Sequence, residues 1–307
     1  MILTICPNPC IDYTVEVDSL NVGMLNRVDN KIETYSGKAL NVAMGLARLG
    51  ENCMATGFMF EKQSKLFEQK LEKEGVNFNF VYNPGGARLN YKIIDKKSML
   101  TEINDRGETV SLNKQKELID LVSELSKEVD IAVMSGSLPQ GVEPSFYQKV
   151  FSAMPKHVKK IADTEWQNMQ FALKSELFMI KPNLKELEGY VKRNLTTKAD
   201  IISASAKVID MGVKYVLTSL GADGAILTDG TESYYCKSAS VAVNSTVGAG
   251  DCMTAAACAC FSKGLPLSEV LRHSVAAGTA SITTSGTNLF TKEKYNEIYA
   301  KIFTEKI

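Results

Sequence analysis

Residues 244–251, NSTVGAGD, run directly into residues 252–261, CMTAAACACF. Two glycines and an alanine lead from the apolar alternation of Val241, Val243 and Val247 into strong helix formers, which predicts a tight loop opening a buried helix. The free amides of such a helix start, at the positive end of its dipole, favour a phosphate or a developing oxyanion. Asp251 then stands as a carboxylate beside an anion site. It repels the ligand unless it has another task, and taking a proton from an attacking hydroxyl is one. The plainer alternative is an acid that suits the helix dipole, with Ala and Cys packing a core. This stretch alone leaves both readings open.

Outward from it, short apolar runs recur between turns: ILTIC at 2–6, IAVMS at 131–135, VKKIAD at 158–163, LFMIK at 177–181, KYVLT at 214–218 and AILT at 225–228. Helical patterns at 115–127, 144–154, 185–190 and 198–211 lie between many of them. The alternation predicts βαβ units around a mainly parallel sheet, with right-handed crossovers covering both faces, hence an α/β three-layer sandwich. Two regions break the rhythm. Residues 11–17 and 27–34 alternate as half-exposed strands do, and 87–95 with 98–103 form an expected hairpin around Asp95, Lys96 and Lys97. These four strands cannot join a parallel sheet in sequence order. They are expected to form a small second sheet, a lid over the strand ends spanning about 11–35 and 87–104 of a single domain, 1–307. Residues 268–307 read as two helices around TTSGTNLF.

Lys plus Arg equals Asp plus Glu at 35 each, so no net basic field favours nucleic acid or an anionic membrane, and an anionic ligand must be held by local groups. The seven cysteines are odd in number, form no C-x-x-C pair and lie mostly in apolar runs, as buried free thiols do. No secretion signal and no apolar run of roughly 18 residues is present; a cytoplasmic protein is expected. His157 and His273 are the only histidines, which argues against a His-based triad or metal cluster.

Other polar groups fall at strand ends. Ser36, Gly37 and Lys38, with Asn41 on the first turn of an apolar helix, repeat the glycine turn into a helix start, now with an ammonium beside it. Arg88, Asn90 and Lys92 alternate on one face of a lid strand and Arg27 lies on another; each reads as a solvated face or as a grip for a phosphate on the substrate. Ser135, Gly136 and Ser137 follow IAVM at the carboxyl edge of the sheet, where open α/β folds bind ligands. Lys181 precedes Pro182, and Asn183 with Glu186 form either a capping box or an oxygen pair that holds Mg²⁺ through waters. Ser219, Gly221 and Gly224 lie in a glycine-bearing turn suited to close approach by a nucleotide. Asp12, at the start of the first lid strand, is placed either as a turn residue or as an acceptor for sugar hydroxyls.

Taken in order, NPCID, SGKALNVA, ARLNYKI, TEIN, SGSLPQG, KPNLKELE, SLGADGA and NSTVGAGD cover nearly the whole chain. The succession resembles that of ribokinase-like sugar kinases of the phosphofructokinase B family, most closely the 1-phosphofructokinase and tagatose-6-phosphate kinase branch. The resemblance implies a phosphorylated ketohexose as substrate and ATP with Mg²⁺ as donor and metal. It makes Asp251 the base and the amides of Gly248, Ala249 and Gly250 the stabilisers of the transferring phosphoryl group. Asn183 and Glu186 would position Mg²⁺; Lys181, Ser219, Gly221 and Gly224 would line the ATP site. Asp12, Gly37, Lys38 and Asn41 would hold the sugar, with Arg27, Arg88 and Ser137 near its phosphate. A homodimer through the lid is implied as well. The chain departs from the family at Ser36 and Ala39, where G-G-K-G is usual, and at Thr164, Glu165 and Trp166, where D-T-S-G is common after the strand ending at Asp163. A non-catalytic sugar-phosphate sensor of the same fold is the alternative. A nicotinamide dehydrogenase lacks its G-x-G-x-x-G after the first strand.

Overall fold

In the computed structural model, which describes residues 1–97, 99–284 and 289–307, the apolar runs become interior strands of one large sheet. Its order is Thr304–Lys306, Ser233–Cys236, Ala225–Thr228, Val213–Ser219, Leu177–Ile180, Lys159–Asp163, Ile131–Ser135, Ile2–Cys6, Cys53–Phe60 and Asn77–Phe78, with Val81–Asn83 also pairing with Cys53–Phe60. From Val213–Ser219 through Asn77–Phe78 all neighbours are parallel; the three strands beyond Val213–Ser219 form an antiparallel flank. Ile2–Cys6 and Ile131–Ser135 are buried at every position, as strands covered on both faces must be. The fold is thus the expected α/β architecture with a mainly parallel sheet. The seven cysteines are free and buried. Among the described residues, no helix is long and apolar enough to cross a membrane.

A separate four-stranded sheet has the order Asn30–Ser36, Cys10–Val17, Arg88–Asp95, Leu100–Asn104. Its middle pair is parallel and its outer pairs antiparallel. The expected strand at 27–34 begins only at Asn30. Asn21 and Asn26 latch the preceding loop: the Asn21 amide donates to Asn26 Oδ1 at 2.8 Å, and Asn26 Nδ2 donates to the Asn21 carbonyl at 2.9 Å. Ser98 of the expected hairpin, and residues 285–288 of TTSGTNLF, lie outside the described residues.

The helix Ala249–Ser262 is apolar all round and every residue from Asp251 to Phe261 is buried, the mark of an interior helix. Small residues set its depth. A Cβ on Gly45, in the helix Lys38–Arg48, would come within 2.9 Å of the Ala255 Cβ, and one on Gly278, in the helix Leu267–Ser281, within 2.7 Å of Met253 Cγ. The close crossing brings the first turns of Lys38–Arg48 and Ala249–Ser262 face to face.

Candidate active site

The carboxyl ends of the parallel strands, the two facing helix starts and one side of the small sheet enclose a cleft of about 950 Å³. Gly248 opens the buried helix with φ 82°, a left-handed conformation that glycine adopts freely. Two residues on, a Cβ at Gly250 would sit 2.9 Å from Lys181 Nζ. The bare backbone at Gly250 leaves that space to the Lys181 ammonium where the helix amides meet the cleft.

Asp251 is 6% exposed. Its Oδ2 accepts a hydrogen bond from Asn41 Nδ2 at 2.8 Å, which the close helix crossing makes possible. Burial raises its pKa to about 6, against the pull of Lys38. A carboxylate so poised is matched to proton transfer near neutral pH.

Opposite it lies an ion cluster. Asp163, at the end of its strand, meets Lys38 Nζ at 3.2 Å through Oδ1 and Lys181 Nζ at 3.3 Å through Oδ2. Burial alone would raise the Asp163 pKa, but Lys181 and Lys38 overcome it and hold the carboxyl below its usual range. Asp163 in turn holds Lys38 above the ordinary lysine range. Lys38 remains partly open to the cleft, so a phosphate can reach it without dismantling the cluster.

The small sheet contributes by alternation. Cys10 and Asp12, then Arg88, Asn90 and Lys92, then Glu102 and Asn104, all face the cleft. Asp12 and Asn90 are register partners; Asn90 Nδ2 donates to Asp12 Oδ1 at 3.1 Å, and buried Lys92 pairs with Asp12 Oδ2 at 3.1 Å. Arg88 is half-buried and donates to the Asn8 carbonyl and to Asn90 Oδ1.

Asn183 and Glu186 form the capping box. Asn183 Oδ1 accepts from the Glu186 amide at 2.9 Å, and Glu186 Oε2 accepts from the Asn183 amide at 2.8 Å. Both also line the cleft, as do Ser219, Gly221 and Gly224. Among the described residues no group of three His, Cys, Asp or Glu side chains is arranged to hold a metal. The capping box uses only Oε2 of Glu186 and leaves its Oε1 without a hydrogen-bond partner among the described residues, an arrangement suited to a hydrated Mg²⁺ whose other ligands are phosphate oxygens and waters.

Of the residues singled out in the sequence, the cleft thus gathers Asp12, Gly37, Lys38, Asn41, Arg88, Lys181, Asn183, Glu186, Ser219, Gly221, Gly224 and residues 248–251. Ser135, Gly136, Ser137 and Arg27 lie outside its lining. Ser137 is half-buried behind it, its Oγ accepting from Asn8 Nδ2 at 3.5 Å. Arg27 is exposed on the latched loop that precedes the strand Asn30–Ser36, away from the cleft of its own chain. Sequence reasoning passed over Asp163, a single acid at a strand end with no pattern around it, and the segment from Lys237 to Val243, which walls the cleft beside residues 246–251. The departures from the family pattern leave the cleft open. Ala39 faces the core, Thr164 Oγ1 donates to the Gly136 carbonyl at 2.9 Å, and Trp166 packs on Tyr190 with ring centroids 4.6 Å apart.

Residues 6–294 match the model of the pfkB family of carbohydrate kinases. The chain is 30% identical over 302 residues to 1-phosphofructokinase of Vibrio cholerae, covering 98% of this chain and 95% of that protein. It is 29% identical over 306 residues to tagatose-6-phosphate kinase of Staphylococcus epidermidis, covering 98% of each. Phosphofructokinase-2 of Escherichia coli, solved in complex with substrates and products, aligns with a TM-score of 0.91 at 28% identity over 98% of each chain.

Proposed function

The chain belongs to the pfkB family of carbohydrate kinases, and on that premise we propose that it transfers the γ-phosphoryl group of ATP to the free primary hydroxyl of a ketohexose monophosphate. Fructose 1-phosphate and tagatose 6-phosphate are the acceptors that the names of the relatives at 30% and 29% identity indicate. The observation that carries this reading is Asp251: a buried carboxylate of raised proton affinity, at a glycine-opened helix start, in one cleft with Lys38, Lys181 and Arg88.

Asp251 accepts the proton of the acceptor hydroxyl as that oxygen attacks phosphorus. The amides of Gly248, Ala249 and Gly250 donate to the equatorial oxygens of the transferring group. Lys38, Asn41, Asp12 and the Gly37 turn hold the sugar, and Arg88, with Ser137 behind it, receives its phosphate. Lys181, Ser219, Gly221 and Gly224 line the nucleotide end. Asn183 and Glu186 would hold Mg²⁺ through water, which when bound neutralises charge on the β- and γ-phosphates. The small sheet serves as the lid of a single domain, excluding water that competes with the sugar.

The outer side of that sheet exposes Tyr91 and Ile103, its edge strand exposes Leu100, and the adjoining loop exposes Val22, Met24 and Leu25, with Val22 at 94% and Leu25 at 77%. A second copy of the chain covering this apolar surface accounts for it, hence a homodimer through the lid.

A coupled assay of ADP release with Mg-ATP over fructose 1-phosphate, tagatose 6-phosphate and fructose 6-phosphate tests the assignment. We expect turnover with a ketohexose monophosphate and a fall of roughly 10² to 10⁴ in Asp251→Asn, the contribution of a positioned base. Sugar-phosphate binding with ATP left uncleaved by the parent protein would instead identify a sensor.

A further inference from the structure

Ser36 is where the strand Asn30–Ser36 of the small sheet ends and, through Gly37, the helix carrying Lys38 and Asn41 begins. It is 2% exposed. Its Oγ donates to Asn41 Oδ1 at 3.3 Å, and Asn41 Nδ2 donates to Asp251 Oδ2 at 2.8 Å. An amide has one carbonyl and one NH₂ to offer, so a hydroxyl proton directed at the carbonyl commits the NH₂ to the other side. Rotated by half a turn, the same amide would turn its oxygen on the carboxylate; that geometry suits only a protonated Asp251.

We propose that Ser36 is a positioning residue for the base: its hydroxyl fixes the Asn41 amide so that NH₂ meets Asp251 and holds it as a carboxylate. Asp251 Oδ1 is then left for the acceptor hydroxyl. The inference rests on Asp251 acting as the base.

The charged and titratable groups around Asp251 set the background. Burial favours its protonated form; Lys38 and Lys181 favour the carboxylate; Asp163 opposes it, and the Cys252 thiol follows on the same helix, itself raised by burial and by Asp251. The Asn41 hydrogen bond works with the lysines. An amide free to rotate loses that contribution, and the base then needs a higher pH to ionise.

The test is the pH profile of turnover in the coupled ADP assay for the parent, Ser36→Ala, Asn41→Ala, the double variant and Asp251→Asn. Ser36→Ala removes only an oxygen from a small buried side chain. We expect it to move the acidic limb upward by about 0.5–1 pH, the worth of one net hydrogen bond. In the Asn41→Ala background the same change should move nothing, because Ser36 acts through Asn41. An unmoved limb in Ser36→Ala, or an equal shift with Asn41 absent, overturns the proposal while a dead Asp251→Asn leaves the base assignment standing. Full turnover in Asp251→Asn overturns both.

Discussion

The central sheet buries its strands on both faces and offers the cleft only their carboxyl ends, with Asp163 and Lys181 locked together there. The small sheet instead gives the cleft a whole face, through Asp12, Asn90 and Lys92, and leaves Tyr91 and Ile103 of its other face exposed. A strand buried on both sides spends every side chain on packing, so function is confined to its end. A one-layer sheet frees alternate residues for recognition and leaves the rest in need of a cover. Under the proposed function, chemistry therefore belongs to the first region, and sugar recognition and subunit contact to the second.

The largest expected effect breaks the first region. Asp163→Asn leaves Lys181 buried without its counter-ion, a loss of about 3–5 kcal/mol in urea unfolding at pH 7. Because the folded-state pKa of Asp163 is depressed, its contribution is present above the ordinary carboxylate range and lost as pH falls through the folded value. The gap to the parent should therefore persist at pH 5. Asp251→Asn should do the opposite. With its folded pKa raised from 3.8 to about 6, the native state holds a proton that the unfolded chain has lost within that window, so the ionised acid costs stability that grows from about pH 4 to 6. The amide variant should gain up to about 3 kcal/mol at pH 8. Equal signs for the two variants would show that the acids play one structural part.

A smaller effect sharpens the second region. Arg88→Ala should raise KM for a phosphorylated ketohexose about 10- to 100-fold, the worth of a charge-assisted hydrogen bond, and leave an unphosphorylated analogue almost untouched. Equal changes for both sugars would remove Arg88 from the phosphate. Smallest is Ile103→Lys on the outer face, expected to weaken self-association about tenfold or more in sedimentation. An unchanged constant would place any subunit contact elsewhere.

Legibility in the sequence followed the same divide. IAVMS and AILT were readable to the residue because a doubly covered strand is apolar throughout. The strand Cys53–Phe60 was missed although it lies beside Ile2–Cys6. Its CMATGFMF mixes methionine with a glycine, and Gly57 is there because a Cβ would come within 1.9 Å of the Cys6 carbonyl oxygen. Thr304–Lys306, a polar edge of three residues, gives no periodicity at all. In the cleft, residues 248–251 drew notice as a bare turn before a carboxylate, but their role was legible only in company with the other motifs, since such a turn alone leaves two readings open. Asp163 does not, since its meaning arises only when Lys38 and Lys181 converge on it from distant positions. The strand start at residue 27 was misjudged because alternation carries no information about where a loop latch ends a strand.

The placement of Ile2–Cys6 bears on how the chain emerges from the ribosome. Its partners are Cys53–Phe60 and Ile131–Ser135, so this strand waits until the chain has been made through Ser135 before both its edges are satisfied. The helix bearing Asp251 is translated later still, then docks onto Lys38–Arg48. Such distant pairings slow folding and leave apolar strand edges open meanwhile. Nascent-chain chaperones should therefore matter more to the yield of this protein than the stability of its finished form would indicate.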